Sequence, residues 1–318
     1  MMDVTAIGEL LVDLTARTTG TDGYPVLEAH PGGAPCNFLA ALSRFGARTA
    51  LIAKVGDDTF GHLLEQTAAG CGIDTRNVLI DPDVFTTLAF VTLDSTGDRK
   101  FAFARKPGAD TCLRWEEIDQ QLLGESRFVH FGSLSLTNEP ARDATRRAIA
   151  YSKEHGALIT FDPNLRPPLW ADLEEAKEQM LYGLAQADIV KISEEEVRFL
   201  FDLDEVAGAR HILEQFGVSL VFVTLGADGC YYANAQAQGK VPGFVMNTVD
   251  TTGAGDIFGG SALSQVLRLG KHPKDLTGEE LEQVVRFACA SAALSTTVFG
   301  GIPSVPSPEA VAELLATR

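Results

Sequence analysis

Short apolar runs alternate with helical stretches along most of this chain, and this alternation restricts the folds that are open to it. Strands separated by helices usually form a parallel sheet with helices on both faces. The apolar character of the runs agrees with strands that are buried on both sides. The sequence therefore predicts an α/β fold around a mostly parallel sheet, with strands over residues 4–8, 49–54, 128–131, 157–161, 189–192 and 220–224 and helices over residues 37–45, 141–153 and 194–200.

Two regions interrupt this alternation. Residues 11–30 contain threonine-rich and glycine-rich turns between short strand candidates, and residues 85–105 have the alternating pattern of a hairpin that turns at residues 95–98. Together they predict a small antiparallel sheet inserted into an α/β core of residues 1–10, 31–84 and 106–318. A sheet without helices of its own could cover a ligand cleft as a lid. The pattern alone fits a simple edge hairpin equally well.

The charge balance and the cysteines exclude several classes of protein. The 318 residues carry a formal net charge of −17 at pH 7, which argues against nucleic acid and anionic membranes as partners. The five cysteines are scattered without C-x-x-C spacing, so we expect neither a disulfide framework nor a structural zinc site. We expect no signal peptide, because Asp3 and Glu9 interrupt the first residues, and the sequence has no apolar run of the ~18 residues that a membrane helix needs. These features predict a soluble protein of the reducing cytoplasm.

The segment DTTGAGDIFGGSAL at residues 250–263 carries most of the functional information. It follows a strand-like stretch at residues 243–249 and leads into an apolar run that fits a helix ending at Gly270. Small residues at a helix N-terminus let an anion approach the free amides closely. Asp256 would repel that anion, but it could act as a base toward a nucleophile that attacks a phosphoryl group held at the amides. The alternative is an ordinary capped helix start, since aspartate is common in first turns.

Two familiar nucleotide-binding motifs are absent from the sequence. The position of the third glycine in a G-x-G-x-x-G fingerprint is Phe258, and no G-x-x-x-x-G-K-[ST] motif occurs. If the protein handles ATP, it does so through another architecture.

A second glycine-rich turn precedes a predicted helix at residues 32–37, with the sequence GGAPCN. Together with residues 250–263, it resembles the two signatures of the PfkB carbohydrate kinase family, which includes ribokinase, fructokinases and 2-keto-3-deoxygluconate kinases. The resemblance runs over essentially the whole chain, from GELLVD at residues 8–13 to PSVP at residues 303–306. It implies a ribokinase-like fold: a doubly wound, mostly parallel sheet flanked by helices, with a small antiparallel β-sheet lid over residues 11–30 and 85–105.

The resemblance also implies roles for both glycine-rich segments. Asp256 would be the base that deprotonates a sugar hydroxyl, while backbone amides neutralise the transferring phosphoryl group, as phosphoryl transfer requires. These anion-hole amides would be those of Gly253, Ala254, Gly255 and Asp256. The sugar would be bound by Asp13, Gly32, Gly33, Asn37 and, from the lid, Arg105. From the sequence pattern alone, Asp13 could also be a turn cap, and Arg105 could be a solvated residue of a hairpin.

On the nucleotide side, the resemblance points to the element FDPNLR at residues 161–166. The Arg166 guanidinium suits the geometry of a phosphoryl group. Further nucleotide contacts would come from Asn164, Lys191, Thr224, Gly226 and Gly229. Glu196 would hold Mg²⁺ through water, in an element where serine (Ser193) replaces the asparagine of the family pattern. A K⁺ ion behind the anion hole would take its oxygens from Asp250, Thr252, Ser295, Val298, Gly300 and Ser304.

These implications predict an ATP-dependent sugar kinase of the fructokinase branch. Ala34 stands where ribokinases carry lysine, and this difference points away from ribose. A 2-keto-3-deoxygluconate kinase is the alternative, and a non-catalytic sugar-binding protein with the kinase fold is a third reading. An exposed antiparallel lid could also pair with a second copy of the chain to form a homodimer.

Overall fold

The computed structural model describes residues 1–19, 23–93 and 99–317. The strands of this part of the chain are β1 (Met2–Ile7), β2 (Leu11–Thr19), β3 (Pro25–Gly32), β4 (Thr49–Gly56), β5 (Ile73–Asp81), β6 (Leu88–Leu93), β7 (Arg99–Ala104), β8 (Ser126–Gly132), β9 (Leu158–Asp162), β10 (Ile189–Ser193), β11 (Leu220–Thr224), β12 (Cys230–Asn234) and β13 (Gln238–Val241). The α-helices are α1 (Ala34–Arg44), α2 (Thr59–Gly70), α3 (Gln120–Gly124), α4 (Ala141–Glu154), α5 (Leu173–Gln186), α6 (Glu194–Phe201), α7 (Glu205–Phe216), α8 (Ala254–Leu269), α9 (Gly278–Ser295) and α10 (Pro308–Ala316).

Nine of these strands form one large sheet in the order β13-β12-β11-β10-β9-β8-β1-β4-β5. The neighbours pair in parallel from β5 to β11, and only β12 and β13 are joined antiparallel. One apolar core lies on the face covered by α1, α8 and α9, and a second core lies on the face covered by α4, α5 and α7. The predicted doubly wound, mostly parallel sheet with helices on both faces is therefore confirmed.

The order of the strands creates a crevice beside β1. From β1 the chain adds β4 and β5 on one side, and later β8, β9, β10 and β11 on the other. In doubly wound sheets a ligand crevice opens where the strand order reverses in this way, outside the carboxyl ends of the strands. The residues that follow β1, β8 and β9 therefore meet at one place.

The small sheet has the order β3-β2-β6-β7. It consists of two antiparallel pairs, β2 with β3 and β6 with β7, and these are joined by a parallel contact between β2 and β6. The predicted turn at residues 95–98 lies outside the described residues, and so do residues 20–22. The strand β3 extends to Gly32, two residues past the predicted end of the lid segment at residue 30.

The strand predicted over residues 243–249 is wrong. The large sheet ends at β13, and residues 243–249 follow it without regular structure. Val245 is 87% exposed and Val249 is 46% exposed, so two of the apolar residues that suggested a strand are not packed against the sheet. No helix of the described residues is long and apolar enough to cross a membrane.

The helices α1 and α8 lie in close contact, and glycine makes this contact possible. A Cβ atom on Gly260 would lie 2.2 Å from the carbonyl oxygen of Phe38 and 2.9 Å from the Cβ of Ala41. A backbone oxygen cannot move aside as a flexible side chain can. The start of α8 is therefore held against α1.

We expect Gly260→Ala to lower the free energy of unfolding by about 1–3 kcal/mol, the usual cost of overpacking. Gly70→Ala is the matched control, because a Cβ at this helical position meets nothing within 4 Å. Its free energy of unfolding should change by no more than about 0.5 kcal/mol or rise slightly. Urea-induced unfolding of both variants measures the difference. Equal stabilities would contradict the close contact between α1 and α8.

Candidate active site

A cavity of about 470 Å³ opens beside β1, between the large sheet and the small one. Of the residues predicted to bind sugar, Asp13, Gly33 and Asn37 line it. The lining also includes residues that were predicted to contact the phosphoryl group, the nucleotide or K⁺, namely Asn164, Arg166, Thr252, Gly253 and Asp256. The fold thus brings residues from distant parts of the sequence to one crevice.

Asp256 lies in the first turn of α8, where the sequence predicted it. Gly253 precedes the helix with a left-handed φ of 75°, a conformation that glycine adopts without strain. Asn37 on α1 donates from Nδ2 to Oδ2 of Asp256 over 2.9 Å. The carboxylate therefore has a fixed orientation at the start of the helix.

Burial raises the pKa of Asp256 to about 6, and the negative charge of Asp162 adds to this effect. Lys191, the hydrogen bond from Asn37 and the charge of Arg166 oppose the rise. A carboxylate with a pKa near 6 is a stronger base than an ordinary aspartate and is still ionised at neutral pH. Such a group can take a proton from a hydroxyl in the cavity.

Lys191 lies behind the start of α8 and is surrounded by carboxylates. Its Nζ atom donates to Oδ2 of Asp162 over 2.9 Å, and it lies 2.9 Å from the position that a Cβ on Gly255 would occupy. Burial by itself would lower the pKa of Lys191, but the charges of Asp162, Glu196 and Asp256 outweigh it and raise the pKa. Lys191 does not line the cavity, but its closeness to Gly255 places its charge beside the predicted anion hole.

Glu196 connects α6 to the loop after β9. Its Oε2 accepts from the backbone amide of Ser193 over 2.8 Å, and its Oε1 accepts from the amide of Leu165 over 2.7 Å. Burial and the charge of Asp162 raise the pKa of Glu196. This carboxylate therefore holds the segment that carries Asn164 and Arg166.

Asp13 lies within β2, so it is not the turn cap that the pattern also allowed. A Cβ on Gly32 would lie 2.5 Å from Oδ2 of Asp13, so the Gly-Gly turn leaves room for this carboxylate. The small sheet thus supplies one wall of the cavity and one carboxylate within it.

Arg105 is buried beside the cavity, and its predicted contact with the sugar stays a prediction. Its side chain is 3% exposed and does not line the cavity. The guanidinium donates from Nε to Asp110 over 2.8 Å, from one terminal nitrogen to Thr137 over 2.8 Å and from the other to the carbonyl oxygen of Leu134 over 3.0 Å. The buried carboxylate of Asp110, which the sequence pattern did not single out, holds the arginine behind the cavity wall that Leu134 forms.

Thr224, Gly226 and Gly229 lie at the carboxyl end of β11, on the same edge of the sheet as the cavity but outside its lining. Gly229 has a φ of 98°, and a Cβ there would lie 2.0 Å from the carbonyl oxygen of Val241. The turn therefore requires glycine, and the nucleotide contacts of these residues stay predictions.

The segments predicted to bind K⁺ meet beside α8. Asp250 accepts from the amide and hydroxyl of Thr252 through Oδ1 and from the amide of Gly300 through Oδ2. The amide of Val298 donates to the carbonyl oxygen of Ser295, and the Ser304 hydroxyl donates to that of Gly301. Within the described ranges, no group of three or more histidine, cysteine, aspartate or glutamate residues could hold a metal ion.

Sequence reasoning missed Glu9, which also lines the cavity. Burial raises the pKa of its carboxyl to about 7. The signal that could have revealed it is a charged residue directly after the buried strand β1, because the carboxyl end of a parallel strand is where a site forms. The apolar lining, which includes Leu11, Phe103 and Leu134, was also not predicted.

A buried carboxylate beside a glycine-rich helix start, in a cavity that Arg166 also lines, fits an enzyme that transfers a phosphoryl group to a hydroxyl. Residues 1–308 match the family model described as pfkB family carbohydrate kinase. Fructokinase-1 of Zea mays is 41% identical over 316 residues, which cover 98% of this chain and 97% of the maize protein. This chain belongs to the pfkB family of carbohydrate kinases.

Two solved structures have the same fold over nearly their full lengths. The fructokinase of Xylella fastidiosa with bound ATP has a TM-score of 0.90 and 29% identity, over 100% of this chain and 99% of that one. A double mutant of the fructokinase of Vibrio cholerae O395, with bound fructose, ADP and potassium ion, has a TM-score of 0.87 and 33% identity, over 99% and 98%.

Proposed function

We propose that this protein is a fructokinase, which transfers the γ-phosphoryl group of ATP to a hydroxyl of fructose. The observation that carries the proposal is the buried Asp256 carboxylate, held by Asn37 at a glycine-rich helix start and facing a cavity of sugar size. The fructokinases that it resembles in sequence and in structure support the choice of substrate.

The charges around the cavity favour a neutral sugar over a sugar acid. Glu9, Asp13 and Asp256 line it, and Arg166 is the only lysine or arginine among the lining residues of the described chain. Carboxylates accept hydrogen bonds from sugar hydroxyls, whereas a substrate carboxylate would need a further cation. Arg105, the other candidate, is bonded to Asp110. This favours fructose over 2-keto-3-deoxygluconate.

In this mechanism Asp256 accepts the proton of the attacking hydroxyl. The amides of Gly253, Ala254, Gly255 and Asp256 would stabilise the charge on the transferring phosphoryl group, and Arg166 would pair with it. The amide of Ala254 donates to the carbonyl oxygen of Thr251 over 3.3 Å in the structure and would have to leave this partner. Lys191 adds positive charge beside these amides. Mg²⁺ bound to the phosphates of ATP would neutralise their charge while keeping most of its waters, and Glu196, with Asp162 beside it, would be the residue that accepts hydrogen bonds from those waters.

We also propose that K⁺ strengthens the anion hole. The carbonyl and side-chain oxygens of the two segments tied by Asp250 and Gly300 lie beside the start of α8. The potassium ion bound by the Vibrio cholerae fructokinase supports this proposal.

Phosphoryl transfer should depend on the sugar and on both ions. With ATP, Mg²⁺ and K⁺, we expect kcat/KM to be highest for fructose, then lower for 2-keto-3-deoxygluconate, ribose and adenosine. Without Mg²⁺ turnover should cease, and choline in place of K⁺ should lower it. A coupled ADP assay measures these rates. Preference for the keto acid would overturn the substrate assignment, and sugar binding without ATP turnover would favour a binding protein.

Asp256→Asn should remove most turnover, because asparagine cannot accept the proton. A lost general base costs about 100-fold to 10,000-fold in kcat. In the wild-type enzyme, kcat/KM should fall as pH drops below about 6, where Asp256 becomes protonated. Near-normal kcat in the variant would contradict the mechanism.

The same variant should be more stable than the wild type at pH 8, and this difference separates lost chemistry from lost folding. The folded pKa of Asp256 is raised above the 3.8 of an ordinary aspartate, so its ionisation destabilises the native state as pH rises from about 4 to 6, and the cost remains above pH 6. Asparagine removes that cost. Thermal unfolding should show the advantage at pH 8 and not at pH 3, with the exposed Glu154→Gln as control.

We further propose a homodimer formed through the small sheet. Its outer strand β3 begins with exposed apolar residues, Val26 at 49% and Leu27 at 41%, and Tyr24 beside them is 71% exposed. An apolar edge of this kind favours pairing with a second copy. Light scattering should give twice the chain mass, and Val26→Lys should shift the protein toward the monomer. A wild-type monomer at assay concentration would rule out the dimer.

A further inference from the structure

Glu9 is a buried carboxylate that takes no part in the proton transfer or the phosphoryl transfer of the proposed mechanism. It follows β1, is 3% exposed and lines the cavity. Its Oε1 atom accepts a hydrogen bond of 3.0 Å from the backbone amide of Ala34, the first residue of α1. This hydrogen bond connects the segment after β1 to the start of α1.

The start of α1 lacks a cap of its own. The N-cap residue is Gly33, which has no side chain, and Pro35 follows without a backbone N–H. The amide of Ala34 would therefore have no acceptor in this buried region without Glu9. A helix of this kind usually takes its cap from the residue just before it, whereas here the acceptor comes from 25 residues earlier.

The backbone around Glu9 is in close contact with the same helix start. A Cβ on Gly8 would lie 2.7 Å from Cγ of Pro35, and a Cβ on Gly33 would lie 2.5 Å from the carbonyl oxygen of Glu9. The two segments therefore fit together in one arrangement. A displacement of the Glu9 side chain would release the hydrogen bond that aligns them.

Asn37, one turn into α1, connects the start of this helix to the proposed base Asp256. The amide of Asn37 donates to the carbonyl oxygen of Gly33 over 3.0 Å, and its side-chain Nδ2 donates to Asp256. Its Oδ1 atom is buried without a hydrogen-bond partner within the part of the chain that the structure describes. The side-chain amide of Asn37 is thus held by its helix and by Asp256.

We propose that Glu9 is a positioning residue for phosphoryl transfer: it holds the start of α1 and, through Asn37, the orientation of the Asp256 carboxylate. This inference rests on the proposed function, in which Asp256 is the base. Glu9 makes its contribution at a helix terminus and without touching the transferred group.

Substitution of Glu9 should affect kcat more than KM, because the base acts in the transition state. Glu9→Ala should lower kcat for fructose about tenfold to a hundredfold, since a small misplacement of a reacting group costs on this order. Glu9→Gln should recover most of that loss, because its amide oxygen can still accept from Ala34. Glu154→Ala, on the exposed face of α4, is the control and should leave kcat unchanged. Equal kcat for Glu9→Ala and the wild type would overturn the proposal.

A double-mutant cycle tests whether Glu9 acts through Asn37. In the Asn37→Ala background, Glu9→Ala should lower kcat by less than threefold, roughly, because the link to Asp256 is already absent. Independent effects that multiply would overturn the proposal. Circular dichroism at the assay temperature shows whether each variant is folded, and kcat is compared per folded molecule.

Amide hydrogen exchange provides a measurement that does not depend on the substrate. Glu9→Ala should speed exchange at the first turn of α1 and at the first turn of α8, while Glu9→Gln and Glu154→Ala should not. If the wild type fails to phosphorylate fructose but this exchange pattern is found, the proposed function fails and the link from Glu9 to α8 stands. If fructose is phosphorylated and exchange at α8 is unchanged in Glu9→Ala, the inference fails alone.

Discussion

The rest of the site depends on the attraction between the buried amino group of Lys191 and the carboxylates around it. Three carboxylates, those of Asp162, Glu196 and Asp256, lie in its field and come from the ends of β9, α6 and α8. Carboxylates crowded together in a dry interior would repel one another and take up protons. The lysine lowers that cost, so Asp256 keeps a pKa of about 6 and remains a usable base. The ion pair with Asp162 joins β9 to β10 at the edge of the sheet where the reaction is proposed to occur.

The glycines around the site let charged groups and backbone approach each other closely. A side chain on Gly32 would displace Asp13, and one on Gly255 would meet Lys191. One on Gly301 would lie 2.4 Å from Oδ1 of Asn37. The glycine-rich motifs therefore have two explanations. Side chains would not fit beside the crowded carboxylates and Asn37, and small residues leave the backbone amides accessible to an anion. Both explanations apply to the same crevice, and the small sheet forms its wall on the side of Asp13.

Several features of the fold and the site could be predicted because they depend on local pattern. The buried strands, for example β11 at residues 220–224, appear as apolar runs, and the glycine-rich turn before α8 appears as residues 253–255. Arg105 shows the limit of such reasoning. Its place in the predicted hairpin suggested a lid residue directed at the sugar. In the fold, its guanidinium donates hydrogen bonds to Asp110 and Thr137, which lie beside it. The strand predicted before Asp250 was wrong for a related reason, because an apolar run becomes a strand only where a neighbouring strand is present to pair with it.

The sequence by itself determined the class of fold, the family and the identity of the proposed base, since these follow from short motifs and from the alternation of strands and helices. The tertiary structure decided which charged groups meet. Glu9 and Ala34 are 25 residues apart, Asn37 and Asp256 are 219 apart, and Asp162 and Lys191 are 29 apart, yet each pair shares a hydrogen bond. The physical reason is that parallel strands bring their carboxyl ends to one edge regardless of their distance in sequence. Burial at that edge then raises the pKa values of Glu9 and Asp256, and no local pattern contains this information.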